Sequence, residues 1–354
     1  MKTITKLRYL MLVASGFFFL NCTSDPIAGP PGKDGIDGID GMDGADGADG
    51  TTSCMQCHSD THRDPIRMAY MDSRHATGSS WARGTDATCA RCHNNEGFID
   101  YMSNLFIDSL GNSIADPDGY LVSNPITCTG CHDKHRSFDF ANDGNDYAVR
   151  SLKAVDLFID PSVQIDIRNA SDELGRSNLC VNCHQPRNSY EIPGPTADYE
   201  ITSSRFGPHH GPQSTMLEGI MGANISGSTA YPGVGTAGHR QGASCIACHM
   251  GETTDGSDGD HTWVPTENTC ITCHTGGPPP EVEGFATDMQ RLHDLLVTAG
   301  AINEDGSAIL GTYPAHVAQA TWNYIMLEED KSEGVHNPNY AKALLKNSIE
   351  ALEN

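Results

Sequence analysis

One short motif recurs six times and constrains this chain of 354 residues more than any other feature. Each copy is Cys-x-x-Cys followed at once by His, and the six copies use twelve of the 13 cysteines, leaving only Cys22. With 16 His in the chain, six chance placements of His directly after such a pair have a probability of about 10^-8. The copies are CMQCH (54–58), CARCH (89–93), CTGCH (128–132), CVNCH (180–184), CIACH (245–249) and CITCH (270–274).

Two thiols and an adjacent imidazole at this spacing are the groups that attach a haem covalently. The thiols add across the vinyl groups of one haem, and the two intervening residues let both thioethers span one edge of the ring while the His binds iron from below. Zinc sites and redox disulfides also use Cys-x-x-Cys, but neither requires the His. The sequence therefore predicts six covalently bound haems c, with iron ligands at His58, His93, His132, His184, His249 and His274 and attachment through Cys54, Cys57, Cys89, Cys92, Cys128, Cys131, Cys180, Cys183, Cys245, Cys248, Cys270 and Cys273.

The composition agrees with an interior built around cofactors. Only 38% of the residues are hydrophobic, which is low for a chain stabilised by side-chain burial alone, and six apolar macrocycles would supply the missing burial. The formal net charge of −24 repels polyanions and argues against nucleic-acid binding. We predict a mainly α fold with extensive irregular loops, a compact multihaem cytochrome with a haem-filled interior.

The second axial ligand decides whether such a protein carries electrons or catalyses a reaction. An iron held by two imidazoles has no open position, whereas a missing ligand leaves iron free to bind substrate. Ten His lie outside the motifs, enough to close every iron. The preferred distal ligands are His75, His135, one of His209 or His210, His239, His261 and His336; His62, His293 and His316 are reserves.

The N-terminal region predicts export and membrane anchoring. A short apolar run, 10–20, follows the basic residues Lys2, Lys6 and Arg8. This pattern predicts a secretory signal over residues 1–21. The sequence ending in Cys22 is similar to a bacterial lipoprotein cleavage box, so we expect lipid on that Cys. Residues 22–50 then form a collagen-like Gly-x-y spacer rich in Asp, which we expect to be solvated and self-repelling.

Beyond the spacer, residues 51–280 carry the motifs and form the predicted hexahaem domain. Residues 281–354 are predicted to be a helical segment that packs on the haems. In that segment, Met289, Leu292 and Leu296 share one face of a helix over 286–299 that Gly300 stops. A second helix is predicted over 315–329, and Asn337-Pro338 caps a third. Turn-rich clusters at 141–146 and 255–260 are possible calcium sites, although solvated turns are favoured.

The last third of the chain resembles the ammonia-forming cytochrome c nitrite reductases and their multihaem relatives. The likeness rests on the order of GHRQGASCIACHM, GDHTWVP, CITCH and SEGVHNPNYAKALL. It implies that His239 is the distal ligand of the sixth haem, His336 that of the fifth, and His261 that of an earlier one. The Cys-x-x-Cys-Lys motif of the reductases' catalytic haem is not found in this chain, and Gln241 stands where their active-site His would fall. The resemblance therefore implies a shared scaffold without that active site.

The N-terminal region is similar to outer-membrane multihaem lipoproteins of metal-respiring bacteria, by its Cys22, its spacer and the haem motifs that follow. We therefore predict an electron-transfer protein, more a carrier than an enzyme, that is exported and lipid-anchored at the cell envelope, on the outer membrane. Its expected partners are redox proteins or an extracellular electron acceptor, and it could form oligomers or filaments. The enzyme alternative is a reductase or oxidase of small nitrogen or sulfur compounds with one open haem; the structural alternative is a subunit of a cytochrome filament.

Overall fold

The computed structural model describes residues 52–139, 142, 146–187, 189–253 and 258–354. The predicted signal segment, Cys22 and the glycine-rich spacer lie outside the described residues, as does part of each predicted calcium cluster. Residues 52–354 belong to one compact unit. Within them, regular structure is mainly helical and is separated by long irregular segments, as the sequence predicted.

Each Cys-x-x-Cys-His motif starts within a short helix. In four of the six motifs both Cys lie in the helix, three positions apart, and a helical turn brings such residues onto the same side; in the motifs at 180–184 and 270–274 the second Cys follows the end of the helix. Side-chain oxygens cap several of these helices: Asp86 accepts a hydrogen bond from the backbone N–H of Thr88 at 2.8 Å, and Ser244 accepts one from that of Ala247 at 3.2 Å. The helices are α1 (Thr52–His58), α4 (Ala87–His93), α6 (Cys128–Cys131), α7 (Asn178–Val181), α10 (Cys245–His249) and α11 (Glu267–Ile271).

Further short elements connect the motif helices. The α-helices are α2 (Asp60–Asp72), α3 (Arg74–Thr77), α5 (Asn95–Met102), α8 (Gln213–Glu218) and α9 (Gly238–Gly242), with 3-10 turns at Ser80–Arg83 and Asp260–Thr262. The strands of the described residues form three antiparallel pairs: β1 (Phe106–Ile107) with β2 (Ser113–Ile114), β3 (Val155–Asp156) with β4 (Gln164–Ile165), and β5 (Tyr199–Ile201) with β6 (Gly311–Tyr313). No helix among these residues is both long and apolar enough to span a membrane.

The C-terminal segment contains the three long helices that the sequence predicted. They are α12 (Phe285–Thr298), α13 (Ala315–Asp330) and α14 (Pro338–Glu353). Gly300 has a φ of 67°, a conformation that glycine adopts without strain and that ends α12. Asn337 caps α14 by accepting a hydrogen bond from the N–H of Tyr340 at 3.1 Å. Met289, Leu292 and Leu296 lie on one face of α12, as predicted, and they are buried in the largest apolar cluster of the described residues.

Buried polar contacts join these helices to residues 213–223. The indole N–H of Trp322 donates to the carbonyl of Met221 at 2.9 Å. Asn323 accepts from the N–H of Ala223 at 2.7 Å and donates to its carbonyl at 2.9 Å. The hydroxyl of Tyr340 accepts from the N–H of Gly222 at 2.8 Å. These hydrogen bonds satisfy the buried polar groups that they join, and they connect the helical package to residues 221–223.

Candidate haem-binding sites

The six motif imidazoles each face one other imidazole. We number these pairs by motif, and call them the first to sixth sites. Their ring centres are 6.0 Å apart for His58–His135, 6.1 Å for His93–His209, 6.2 Å for His132–His261, 6.2 Å for His184–His75, 6.3 Å for His249–His336 and 6.1 Å for His274–His239.

This separation fits a metal ion between the two rings. An imidazole nitrogen binds a transition metal at about 2 Å, so two imidazoles on opposite sides of one ion have ring centres about 6.2 Å apart. Rotation about each metal–nitrogen bond leaves the angle between the rings free, and the observed angles run from 33° to 87°. A shared metal ion would fix the distance between the rings, and the six pairs agree in that distance. It would not fix the angle between the rings, and the pairs differ in that angle. The residues present fit iron with two axial His ligands.

All six preferred distal positions contain a paired imidazole. Of the two alternatives at 209 and 210, the structure places His209 opposite His93. His210 instead bonds through Nδ1 to the Glu329 carboxylate at 2.8 Å, and its side chain is 72% exposed. Among the ring contacts of the described residues, His62, His293 and His316 face no motif imidazole; His293 lies against Tyr324 and bonds to Asp294.

Hydrogen bonds at Nδ1 fix the orientation of several of these rings. His132 faces the carbonyl of Tyr147 at 2.8 Å, His249 that of Trp263 at 2.9 Å, and His239 that of Val335 at 2.5 Å. A carbonyl accepts hydrogen bonds only, so Nδ1 carries the proton and Nε2 keeps its lone pair for a metal. The tautomer of these three rings is the one that a haem ligand requires.

Two of the imidazoles at predicted distal positions have carboxylate partners instead. His261 bonds to Asp260 at 2.6 Å and His336 to Asp330 at 2.7 Å. The bond from His261 is the largest cause of the lowered pKa of Asp260. Burial by itself would lower the pKa of His336, but attraction to Asp330 and the hydrogen bond between them raise it. Carboxylates thus act on the third and fifth sites.

Burial favours the neutral, ligand-competent form of other rings. It lowers the pKa of His75 to about 4, with a further contribution from His184. Burial also lowers the pKa of His209 to about 4, assisted by the positive charge of Arg187. A neutral imidazole is the form that binds metal. Near neutral pH both rings are therefore already neutral and need not release a proton before they bind a metal.

The cysteines lie where neighbouring sites meet. No disulfide joins motif cysteines among the described residues. The thiols of Cys92 and Cys183, from the second and fourth motifs, contact each other, and this hydrogen bond is the main cause of the lowered pKa of Cys92, about 7. Cys180 and Cys245, from the fourth and fifth motifs, make a similar contact. The attachment points of these three sites are therefore adjacent.

Trp263 contacts three sites at once and was not singled out as a site residue from the sequence. Its ring centre lies 4.5 Å from that of His75 and 5.5 Å from that of His261, and its carbonyl accepts from His249. It adopts a left-handed backbone conformation, with a φ of 58°. Its place in the GDHTWVP segment, two residues after His261, was the only sequence signal.

Arg91, inside the second motif, is a buried cation held by aromatic rings. Its guanidinium carbon lies 3.3 Å from the ring centre of Phe158 and 4.0 Å from that of Tyr101. Among the described residues, its Nε and Nη2 are buried and have no hydrogen-bond partner. Positive charge at an attachment motif suits a cofactor with carboxylate groups, as haem has.

Comparison with known proteins gives one sequence similarity and one partial structural likeness. No family model matches the chain. The chain is 24% identical over 357 aligned positions to the C-type polyheme cytochrome OmcB of Geobacter sulfurreducens, in strain DL-1 / KN400 and in strain ATCC 51573 / DSM 12127 / PCA. That alignment covers 80% of this chain and 46% of OmcB, so the chain spans about half the length of these relatives.

The crystal structure of the outer cell wall cytochrome OcwA superposes with a TM-score of 0.48 at 18% identity, over 80% of this chain and 49% of OcwA. The sequence similarity to OmcB agrees with the repeated motif and the paired imidazoles described above. Together these observations support a multihaem c-type cytochrome that binds haem c covalently.

Proposed function

We propose that this protein transfers electrons through six c-type haems, each held by two His. The observation that carries the proposal is the set of six imidazole pairs at 6.0–6.3 Å, one for every attachment motif. Bound haem supplies one-electron chemistry, the reversible reduction of Fe(III) to Fe(II). The protein's residues would hold each iron from both faces and leave no axial position for a substrate.

Contacts among the first five sites support a relay between them. The thiol contact of Cys92 with Cys183 joins the second site to the fourth, and that of Cys180 with Cys245 joins the fourth to the fifth. Trp263 lies between the distal rings of the third and fourth sites. The third motif ends at His132, three residues before His135 of the first site. Each of these links brings two redox sites close together, which favours electron exchange between them.

The remaining parts of the proposal rest on the sequence. An export signal, lipid on Cys22 and an acidic spacer would place the haem-binding residues 51–280, with the helical segment 281–354 packed on them, at the cell envelope. The electron donors and acceptors would be redox proteins or an extracellular acceptor. The charge of −24 favours partners with basic docking patches.

Electron paramagnetic resonance of the oxidised holo-protein tests the proposal against the enzyme alternative. Iron with two imidazole ligands gives low-spin signals only. A high-spin signal that shifts with nitrite or hydroxylamine would show an open haem and favour a reductase or oxidase. An absence of haem iron would overturn the proposal altogether.

A further inference from the structure

The distal imidazoles of the third and fifth sites face carboxylates, whereas that of the sixth site faces a backbone carbonyl. This inference rests on the proposed function. Asp330 and Asp260 are carboxylate partners of His336 and His261, whereas His239 faces a neutral backbone carbonyl. An imidazole that donates to an anion becomes a more basic, more electron-rich ligand. Such a ligand stabilises Fe(III) over Fe(II), since axial ligation and its hydrogen bonds tune the reduction potential of haem iron.

The two carboxylates lie in different surroundings. The side chain of Asp330 is 1% exposed, whereas that of Asp260 is 42% exposed. Charges interact more strongly in a buried, low-dielectric position than near water. The effect of Asp330 on the fifth site should therefore exceed that of Asp260 on the third.

No other cation offsets Asp330 in the described part of the chain. The neighbouring Lys331 pairs with Glu328 at 3.7 Å, and Glu329 pairs with His210. Asp330 has His336 as its only ion-pair partner there, and its second oxygen accepts from the hydroxyl of Ser332. Its negative charge is therefore directed at the distal ligand of the fifth site.

We propose that Asp330 is a positioning and tuning residue that gives the fifth site a lower reduction potential than the sixth, whose distal imidazole faces a neutral carbonyl, with Asp260 lowering the third site more weakly. One electron from an external reductant converts one Fe(III) to Fe(II), and the Nδ1 proton stays on the imidazole. In a partly reduced protein, electrons should therefore occupy the sixth site before the fifth.

The test is a redox titration of the full-length holo-protein followed by electron paramagnetic resonance, in which the low-spin ferric signals are lost as the haems are reduced. We compare wild type with Asp330→Asn, Asp260→Asn and Asp294→Asn. The last is the matched control, because Asp294 bonds to His293 at 3.3 Å and that ring faces no motif imidazole. Loss of an outer-shell partner changes the properties of a metal site by about 10-fold or more. For Asp330→Asn we expect the reduced-to-oxidised ratio of one haem to rise about tenfold at a fixed potential, which corresponds to about 59 mV for one electron.

Asp260→Asn should move a different haem in the same direction by less, and Asp294→Asn should move none. Should Asp330→Asn fail to fold, Ser332→Ala provides a second variant. Ser332→Ala removes a hydrogen bond that draws negative charge away from the part of Asp330 that faces His336. The variant should therefore lower the reduced-to-oxidised ratio of the same haem.

Unchanged titrations in Asp330→Asn, or in Ser332→Ala if the first is unstable, would overturn the inference while the low-spin signals of wild type still uphold the proposed function. Equal shifts in the Asp294→Asn control would also overturn it. Missing or high-spin signals in wild type would instead reject the proposed function itself.

Discussion

Removing one distal ligand should open one haem and leave the other five closed. His75 is the sharpest choice, since it lies on the short helix α3 and faces His184 of the fourth motif across 6.2 Å. In His75→Ala the ring is lost, and the methyl group that remains cannot reach a metal held by His184. One iron in six should therefore pass from low spin to high spin in the oxidised protein.

The size of the change follows from the one-to-one pairing. Within the described ring contacts no second imidazole faces His184, so a protein ligand is not available to replace His75. The assay is spin quantitation by electron paramagnetic resonance before and after adding imidazole, which should rebind one equivalent per chain and restore the low-spin signal. The matched control is His210→Ala, because His210 is exposed and bonds to Glu329; it should keep six low-spin irons.

Two results would refute this reasoning. If His75→Ala kept every iron low spin, His75 would not be an axial ligand. If His210→Ala opened a haem as well, the distance between ring centres would not identify the ligand, and the choice of His209 over its neighbour would fail.

Three further predictions concern packing, pH and salt. Trp322 is fully buried and donates to the carbonyl of Met221, so Trp322→Ala should reduce the free energy of unfolding by about 3–5 kcal/mol in denaturant titrations of the holo-protein. A change below about 1 kcal/mol, close to the effect of a surface substitution, would contradict the packing. Hydrogen bonds from Thr88, through its side chain and then its backbone, lower the pKa of the Asp86 carboxyl from 3.8. Because the pKa of Asp86 is lower in the folded than in the unfolded state, its stabilisation of the fold is present above pH 3.8 and is lost as the pH falls through the folded pKa. Asp86→Asn should weaken this loss of stability at acid pH in unfolding curves. Identical curves for the variant and the wild type would contradict this role of Asp86. Electron exchange with a basic partner should slow as salt rises, because the net charge is −24; stopped-flow rates independent of ionic strength would exclude electrostatic steering.

Helices whose periodicity and end signals lie close together in the chain were predictable from the sequence. The three C-terminal helices follow from apolar periodicity and from the end signals Gly300 and Asn337, and the structure confirms them within one residue where bounds were given. The two- and three-residue strands gave no pattern long enough to detect. Their pairing depends on contacts between distant segments.

Some imidazole pairs could be predicted from the sequence and one could not. The family likeness implied that His239 belongs with the sixth motif and His336 with the fifth, and the structure brings those rings together. Sequence could not separate His209 from His210, because adjacent residues share the same neighbours in the chain. The backbone separates them: His209 has a φ of 65°, which turns it toward His93.

Some side chains that contact the paired imidazoles could not be predicted from the sequence. Asp330 is the last residue of α13, and nothing in a helix end marks a carboxylate as a partner for His336 six positions later. Trp263 became notable only when its contacts with His75, His261 and His249 were known. Side chains that orient a ligand are set by packing, which periodicity does not report.

The central claim is that every motif carries a haem closed by two His. Intact-mass measurement combined with spin quantitation on one sample of purified holo-protein tests it most directly. We expect six added haem masses on the processed polypeptide and ferric iron that is entirely low spin. Fewer than six added haems, or a full set with part of the iron high spin, would contradict it.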